Sequence, residues 1–507
     1  MIFQRVTAFG RSVCFLVLFL AVPWGVTQEA SASPDALPGQ VPGLPPPHKP
    51  QSPGFICPAQ LGGAIEAITN HPQLQRGRWG ILIQTLSATP QTLYARERDR
   101  YFVPASTAKL LTTAAALRRL GPQFRYRTAI YQAANPRLRI LRVVGSGDPS
   151  LTDVQLGSLA QQLSRQGMRH VQQILADDHS YQGSAINPSW EWEDIQSGYG
   201  APINSLILNQ NAVELKLLPQ AVGQPLRLEW ADPVEAIGWP IHNRSRTVQP
   251  QDPEFVEVGR DFGSSTLQIR GQLRVGGEPE TVAIAVLDPA QQFLRHLRRA
   301  LRVHQITTAQ TLVTSSPRPP HEREVAAIVS PPLSQLIEET NQESNNLYAE
   351  SLLKTLGANP SRTADSSAAG LDVVKSSLTD LGVNPQSYVL TDGSGLSRHN
   401  LVSPEALVQT LRGMAQTPVA ALYQASLPVA GVSGTLYKRF QKTPAQGILK
   451  AKTGSMSGVS TLAGYLNSPH FPPLVFSILV NQSDQSGKVL RQAIDEMVLL
   501  LTRLRSC

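Results

Sequence analysis

The stretch VPASTAKLLTTAAALRRLG, residues 103–121, predicts a helix that begins near Pro104. Proline suits the first helical position, because its missing N–H would have no partner there. Apolar residues then recur at helical spacing, and the Gly-Pro pair at 121–122 predicts the end of the helix. Ser106 therefore lies in the first turn, with Lys109 one turn later on the same face. A lysine is disfavoured at this end, because the positive end of the helix dipole repels a cation.

The chain has 507 residues, of which 41% are hydrophobic, and its net charge is +8 (45 basic minus 37 acidic residues). This length suggests about two to four domains, and the ordinary apolar content indicates a globular protein. A mild basic excess suits an anionic partner, but it is also common on solvated surfaces. The sequence has no run of five or more basic residues, which argues against a nucleic-acid-binding protein.

The first 32 residues have the pattern of a secretory signal peptide. Arg5 and Arg11 precede an apolar run at 13–26, and the segment ASA at 30–32 is a small-x-small cleavage site. An uncleaved membrane anchor is the alternative, but the run is short for a span and contains Pro23. We expect cleavage after this site and export of the mature protein to the periplasm or cell envelope of a bacterium.

Removal of the signal peptide would leave two cysteines, Cys57 and Cys507, one near each end of the mature chain. Two lone thiols in an oxidising compartment often pair, and a bridge would hold the last residue, which would otherwise fray. Two free thiols are the alternative, because the sequence does not show the geometry that a bridge needs.

The composition and the predicted secondary structure of the mature chain change along its length. Residues 33–56 form a Pro-rich linker, and a folded region begins at Cys57. Residues 123–322 consist of short strands and turns with two helices, near 153–166 and 289–301, which predicts one or two inserted α+β domains. A helical pattern then resumes, with further helices over 370–380 and 404–413.

Three strand-like runs close to the C-terminus, GILKAKTGS, STLAGYLN and LVFSILVN, are separated by short loops. They predict an antiparallel meander. The last segment, VLRQAIDEMVLLLTRLRSC, predicts an apolar-faced helix. A helix of this kind either lies on a membrane surface or packs on the sheet, and packing is the simpler expectation.

Three short motifs point to chemistry. S-x-x-K occurs twice, as Ser106 to Lys109 and at 351–354, and the second copy lies in the middle of a Leu-rich helix, where we expect Lys354 to be a solvated lysine. The only S-x-N is at 344–346, and the only K-T-G is at 452–454, at the end of a predicted strand. The order S-x-x-K, S-x-N, K-T-G is that of the penicillin-recognising serine acyl-transferases.

The first-turn lysine has a chemical use. Ser106 needs a base, no histidine lies in these motifs, and a lysine can serve only in its neutral form. The pKa of a lysine is about 10.4, whereas an efficient base has a pKa near 7–8, so the shift requires roughly 4 kcal/mol. We expect desolvation, the helix N-terminus and the positive charge of Lys452 to supply it.

Competing motifs are weaker. G-x-S-x-G at 454–458 matches a nucleophile elbow, but a strand rather than a helix follows, and no acidic residue lies between Ser457 and His470. HEREV at 321–325 lacks the second histidine of H-E-x-x-H, and C-x-x-C is absent, so we expect no metal. The G-x-G at 145–147 has no dinucleotide-binding pattern after it.

With these motifs, the chain resembles the penicillin-binding proteins, and more narrowly the D-alanyl-D-alanine carboxypeptidase/endopeptidase family of class C low-molecular-mass type. Four further stretches carry the resemblance: 145–151, 201–215, 392–400 and 427–436. It implies an α/β (α+β) fold, in which an antiparallel sheet flanked by helices forms a transpeptidase-like domain. Residues 57–122 and 323–507 would build that domain, split by the inserted accessory region.

The resemblance also implies catalytic roles. Ser106 would be the acylated nucleophile and Lys109 its base. Ser344 would relay a proton between Lys109, Lys452 and the leaving amine. The backbone N–H groups of Ser106 and Ser455 would form the oxyanion hole.

Substrate binding is implied for Asn346, Thr453, Gly454 and Ser455. Asn346 would hydrogen-bond the substrate's peptide amide, while Thr453 and Ser455 would bind the terminal carboxylate of D-Ala. No cofactor is implied. The implied partners are peptidoglycan stem peptides and, as acylating inhibitors, β-lactam antibiotics, with membrane contact at most peripheral. The oligomeric state is left open.

The sequence therefore predicts an exported serine DD-carboxypeptidase, with DD-endopeptidase activity as a further option. A penicillin-sensitive transpeptidase or a β-lactamase-type hydrolase is the nearest alternative, and the rate of deacylation would separate these. A catalytically silent wall-binding module is an alternative of a different class, and the presence of Ser106, Lys109 and Lys452 argues against it.

Overall fold

The structure is a computed structural model, and it describes residues 54–358 and 364–507. The predicted signal peptide and almost all of the predicted linker lie outside the described residues. Within the described part, no helix is both long and apolar enough to cross a membrane.

Nineteen strands and ten α-helices are found in the described residues. The strands are β1 (Arg78–Thr85), β2 (Thr92–Arg96), β3 (Arg127–Gln132), β4 (Ile140–Val144), β5 (His170–Asp177), β6 (Ala212–Leu218), β7 (Arg227–Trp230), β8 (Ile241–Asn243), β9 (Arg246–Val248), β10 (Phe255–Arg260), β11 (Leu267–Arg274), β12 (Glu280–Ala285), β13 (Thr307–Thr314), β14 (Arg323–Val329), β15 (Tyr388–Val389), β16 (Leu401–Val402), β17 (Leu449–Met456), β18 (Val459–Leu466) and β19 (Leu474–Asn481). The helices are α1 (Pro58–Thr69), α2 (Lys109–Leu120), α3 (Asp153–Arg165), α4 (Pro289–Val303), α5 (Leu333–Gln342), α6 (Asn346–Gly357), α7 (Ser366–Asp380), α8 (Pro404–Ala415), α9 (Ala420–Ala425) and α10 (Gly487–Thr502).

The two ends of the chain build one five-stranded antiparallel sheet, in the order β17-β18-β19-β1-β2. The predicted C-terminal meander is confirmed, because β17 pairs with β18 and β18 with β19, both antiparallel. Strand β1 joins the meander along its whole length, from Arg78 opposite Asn481 to Thr85 opposite Leu474. Strands distant in sequence therefore close a single sheet, as the predicted fold class requires.

Helices cover both faces of this sheet. On one face, α1 and α10 share an apolar cluster with the strands, and the apolar positions of α10 are buried there: Leu490, Ile494, Met497, Val498 and Leu501. Packing of the last helix on the sheet is thus confirmed. On the other face, α8 packs against β19 and β1, and α2 is surrounded by α5, α6, α7 and α8. Helix α2 is buried over most of its length, which holds its N-terminal end in a fixed place.

The region between the two halves contains three further sheets. One has the order β13-β5-β4-β3-β14, a second has β12-β6-β7, and a third has β10-β11-β8 with β9 also pairing with β11. The two predicted helices of this region correspond to α3 and α4. Strand β14 begins at the predicted boundary and pairs with β3. The boundary predicted after residue 322 therefore cuts off a strand of this sheet, and we propose to draw it after Val329.

Cys57 and Cys507 form a disulfide across 450 residues, with their Cα atoms 5.7 Å apart. Backbone hydrogen bonds reinforce this junction, because Arg505 N donates to Ile56 O and Ile56 N donates to Arg503 O. The bridged pairing, one of the two alternatives open from the sequence, is the one that the structure contains.

Candidate active site

A short 3-10 turn, Ala105–Ala108, carries Ser106 and leads directly into α2. Ala105 adopts a positive φ of 46°, and Thr107 Oγ1 donates to the Pro104 carbonyl. This backbone leaves Ser106 partly exposed, whereas Lys109 is 0% exposed. Lys109 Nζ lies 2.9 Å from Ser106 Oγ. The predicted nucleophile therefore faces solvent while the predicted base stands behind it in the protein interior.

Lys109 has three hydrogen-bond acceptors around its Nζ: Ser106 Oγ, Asn346 Oδ1 at 2.6 Å and the Ser394 carbonyl at 2.7 Å. Burial lowers the pKa of Lys109 to about 7, although the carboxylates of Asp392 and Glu350 oppose the shift. The shift has the predicted direction, and desolvation, one of its predicted causes, is the main one; the charge of Lys452, another predicted cause, does not contribute to the shift of Lys109. A lysine with this pKa is neutral for about half of the time at pH 7 and can accept the serine proton.

The second lysine of the site, Lys452, is also 0% exposed. Its Nζ donates to Ser344 Oγ at 2.8 Å and to the Thr453 carbonyl at 3.0 Å. Burial, followed by the positive charge of Lys109, lowers the pKa of Lys452 well below its ordinary value. The like charges of the two lysines therefore disfavour two ammonium groups in this site.

The S-x-N segment lies where α6 begins. Ser344 has a positive φ of 60°, Asn345 caps the helix by accepting from Tyr348 N, and Asn346 is the first helical residue. Both ends of the Asn346 amide have partners, because Oδ1 accepts from Lys109 and Nδ2 donates to the Tyr199 carbonyl at 2.9 Å. A substrate amide would therefore have to share or replace one of these bonds.

The K-T-G segment lies on β17, the strand at one edge of the sheet. A Cβ on Gly454 would come within 2.9 Å of both Ser106 N and Pro104 O, so glycine lets this strand approach the nucleophile turn. Thr453 Oγ1 bonds Thr435 Oγ1 at 2.7 Å, and Ser455 is exposed. An edge strand beside a nucleophile can pair with an extended peptide.

Sequence reasoning missed four residues of this site: Glu350, Asp392, Ser394 and Tyr199. Asp392 and Ser394 lie in the stretch 392–400, which carries part of the resemblance, but no motif assigns either of them a role. Glu350 follows Asn346 by four residues on a helix, so this spacing already placed both side chains on one face. Nothing in the sequence indicates that the Tyr199 carbonyl would reach the site.

The second S-x-x-K is buried, which corrects the prediction of a solvated Lys354. This lysine is 3% exposed, donates to the Ser184 carbonyl at 2.7 Å and lies 5.9 Å from the centre of the Tyr181 ring. Ser351 Oγ bonds the Gly147 carbonyl instead of the lysine. The prediction failed because α6 is covered by the inserted region, which local sequence does not show.

The G-x-S-x-G motif lies in a strand and turn rather than in a nucleophile elbow. Residues 454–458 form the end of β17 and its turn into β18, with no helix after them.

Among the described residues, Asp153, Asp232 and His296 have potential metal-ligand atoms within 4.8 Å of one another. Although burial opposes it, hydrogen bonds to Asp153 and Glu235 raise the pKa of His296 to about 9. In the structure, His296 is thus the ion-pair partner of Asp153 and Glu235.

A serine and a buried lysine on a helix start, with S-x-N and K-T-G around them, define a penicillin-recognising serine acyl-transferase site. The chain belongs to the D-Ala-D-Ala carboxypeptidase 3 (S13) family, whose model matches residues 61–504. It is thus a serine peptidase, and the predicted family is confirmed.

Individual relatives agree. A D-alanyl-D-alanine carboxypeptidase from Actinomadura is 33% identical over 441 residues, which are 83% of this chain and 81% of the relative. A penicillin-sensitive carboxypeptidase A from Dictyostelium discoideum is 30% identical over 459 residues, covering 84% and 87%. The crystal structure of penicillin binding protein 4 from Haemophilus influenzae has a TM-score of 0.76 at 24% identity, covering 86% of this chain and 98% of that one. This likeness confirms the fold class.

Proposed function

We propose that this chain is an exported DD-carboxypeptidase that removes the terminal D-Ala from peptidoglycan stem peptides through an acyl-enzyme on Ser106. The observation that carries the proposal is the 2.9 Å contact between Ser106 Oγ and Lys109 Nζ. The lowered pKa of that buried lysine, about 7, supports its use as a base.

The reaction proceeds in two steps. Neutral Lys109 accepts the Ser106 proton as Oγ attacks the carbonyl carbon of the penultimate D-Ala. The backbone N–H groups of Ser106 and Ser455 stabilise the oxyanion. The C–N bond then breaks, and the leaving amine of D-Ala takes the proton that Lys109 accepted, relayed through the hydroxyl of Ser344, whose Oγ also accepts from Lys452 Nζ. Lys109 is then neutral again. Water hydrolyses the ester and restores Ser106.

The substrate lies as an extra strand along β17. Its terminal carboxylate meets Thr453 and Ser455, with the hydroxyl of Thr435 as a neighbour of Thr453. The low pKa of Lys452 has a consequence for this step, because a neutral lysine attracts a carboxylate less strongly than a cation does. Carboxylate binding and protonation of Lys452 are then linked, since an entering anion favours the charged form.

We place the mature protein in the periplasm or cell envelope, because the N-terminal signal pattern and the Cys57–Cys507 disulfide both suit an oxidising compartment. Stem peptides are the proposed substrates, and β-lactams the proposed acylating inhibitors. The solved relative from H. influenzae has also been crystallised with a β-lactam. Any membrane contact is peripheral.

The test is release of D-Ala from a synthetic stem pentapeptide by the mature protein, compared with Ser106→Ala. Ser351→Ala is the matched control, because Ser351 belongs to the second S-x-x-K but bonds the Gly147 carbonyl. We expect activity in the wild type and in the control, and none in Ser106→Ala.

Other outcomes distinguish the alternatives. Cleavage of a crosslinked stem-peptide dimer would add DD-endopeptidase activity. Rapid hydrolysis of penicillin without D-Ala release would indicate a β-lactamase. A folded wild type that neither releases D-Ala nor reacts with penicillin would contradict the proposal and favour a silent wall-binding module.

A further inference from the structure

Two buried carboxyl groups, Glu350 and Asp392, act electrostatically on Lys109 and have no part in the acyl transfer described above. Glu350 is 2% exposed and Asp392 is 0% exposed. Asp392 is surrounded by donors, since it accepts from Trp190 Nε1, Gly395 N, Ser397 N and Asn400 Nδ2. These bonds show that Asp392 stabilises its own loop. Glu350 takes part in none of them, so its burial beside Lys109 needs a separate explanation.

A single residue, Ser394, links Glu350 to Lys109. Glu350 Oε1 accepts from the backbone N–H groups of Gly393 at 2.9 Å and Ser394 at 2.7 Å. The carbonyl of Ser394 in turn accepts from Lys109 Nζ at 2.7 Å. The carboxyl therefore holds the residue whose carbonyl is one of the three acceptors of the lysine.

Helix α6 reaches Lys109 by two routes. Asn346, at its first position, accepts directly from Lys109, and Glu350, one turn later, acts through Ser394. The loop that carries Ser394 packs closely on the turn that carries Ser106. Gly395 has a φ of 83°, and a Cβ there would lie 1.9 Å from the Ala105 carbonyl, next to the nucleophile. A shift of the loop would therefore move the lysine and the serine turn together.

The charges of these groups also interact. Burial, and after it the charge of Asp392, raises the pKa of Glu350 to about 8, close to the value of about 7 for Lys109. Groups that titrate over the same range and lie close together lose their protons as a pair. Two further charged groups belong to this network: Lys452 of β17 interacts electrostatically with Lys109, and Glu343 interacts with Lys452.

We propose that Glu350 is a positioning residue for the acyl transfer, which fixes the Ser394 carbonyl against Lys109 and, when it ionises, opposes the loss of the lysine's proton. This rests on the roles proposed above for Ser106 and Lys109. It adds a second determinant of when the base is neutral, one that touches neither the substrate nor the serine.

The test is the pH dependence of the second-order rate of penicillin acylation. Glu350→Gln keeps an oxygen for the two backbone N–H groups but removes the charge. We expect the rate to rise with pH at a lower midpoint than in the wild type. The shift is less than about one pH unit, because Glu350, with a pKa of about 8, is mostly uncharged where Lys109 loses its proton. Glu350→Ala lacks the acceptor as well, and we expect it to be at least tenfold slower than Glu350→Gln. Glu338→Gln, an exposed glutamate on α5, is the charge-matched control and leaves the midpoint unchanged.

An unchanged midpoint in folded Glu350→Gln would overturn the role of the charge, and an equal rate in Glu350→Ala would overturn the positioning of Ser394. If neither variant folds, the pH profile of the wild type still tests the proposal. Coupling between Glu350 and Lys109 makes the acylation rate rise over a wider pH range than the loss of one proton would give. A profile that fits the loss of a single proton would overturn the proposal. A wild type that penicillin does not acylate would instead contradict the proposed function.

Discussion

Replacing Gly454 by alanine tests whether the close approach of β17 to the nucleophile turn is needed for acylation. The new Cβ would lie 2.3 Å from Thr461 Oγ1 and 2.9 Å from Ser106 N and Pro104 O. Rotation of Thr461 relieves the first contact but breaks its bond to the Pro104 carbonyl. The backbone contacts need β17 to withdraw by about 0.5 Å (3.4 minus 2.9 Å) to reach ordinary van der Waals distance.

That movement displaces Ser455, whose N–H belongs to the proposed oxyanion hole. Because a misplacement of 1 Å can cost about 100-fold in rate, we expect Gly454→Ala to acylate about tenfold to 100-fold more slowly with a fluorescent penicillin. Gly458→Ala is the matched control. It lies in the same hairpin at a φ of 72°, so it is strained by about 1 kcal/mol, but its Cβ comes no closer than 3.3 Å to another atom. Acylation of Gly454→Ala at the wild-type rate would refute the reasoning.

Three further predictions concern stability. Lys354→Met should lower the free energy of unfolding by about 1–3 kcal/mol, because the Ser184 carbonyl loses its donor. The acylation rate should stay within about twofold of the wild-type rate. A large loss of rate in folded protein would show that Lys354 belongs to the active site. Cys57→Ser should lower the free energy of unfolding by about 2–4 kcal/mol in urea titrations, because it removes the disulfide, and added reductant should not destabilise the variant further. His296→Gln should destabilise more at pH 6 than at pH 9.5, because a pKa raised from 6.5 to about 9 stabilises the fold below pH 6.5 and the effect disappears as pH rises through 9. An equal loss at both pH values would contradict the paired, charged imidazole.

The sequence predicts the features that depend on local pattern. The meander, the C-terminal helix and the helices α3 and α4 all follow from apolar spacing and turn residues, and the structure contains each of them. The three motifs identify the family because their residue types and order are specific. The direction of the Lys109 shift follows from the chemistry that a lysine base requires.

What the sequence does not predict depends on contacts between distant segments. Lys354 has the pattern of a surface lysine, but it is buried where distant residues such as Ser184 and Tyr181 pack against α6. The Tyr199 carbonyl accepts from Asn346, which lies 147 residues away in the sequence. Because this is a backbone group, which every residue has, the residue type at 199 gives no sign of the contact. The helical spacing of Glu350 relative to Asn346 was visible, but its loop partner was not. Folding, rather than local pattern, creates these contacts.

The most direct measurement of the central claim is the position of the penicillin adduct. The mature protein would be labelled with penicillin, digested and sequenced by mass spectrometry, together with Ser106→Ala and Lys109→Met. The account predicts a penicilloyl group on Ser106, absent from Ser106→Ala and formed at least 100-fold more slowly in Lys109→Met. An adduct on another serine, such as Ser351, or an undiminished rate in Lys109→Met would contradict it.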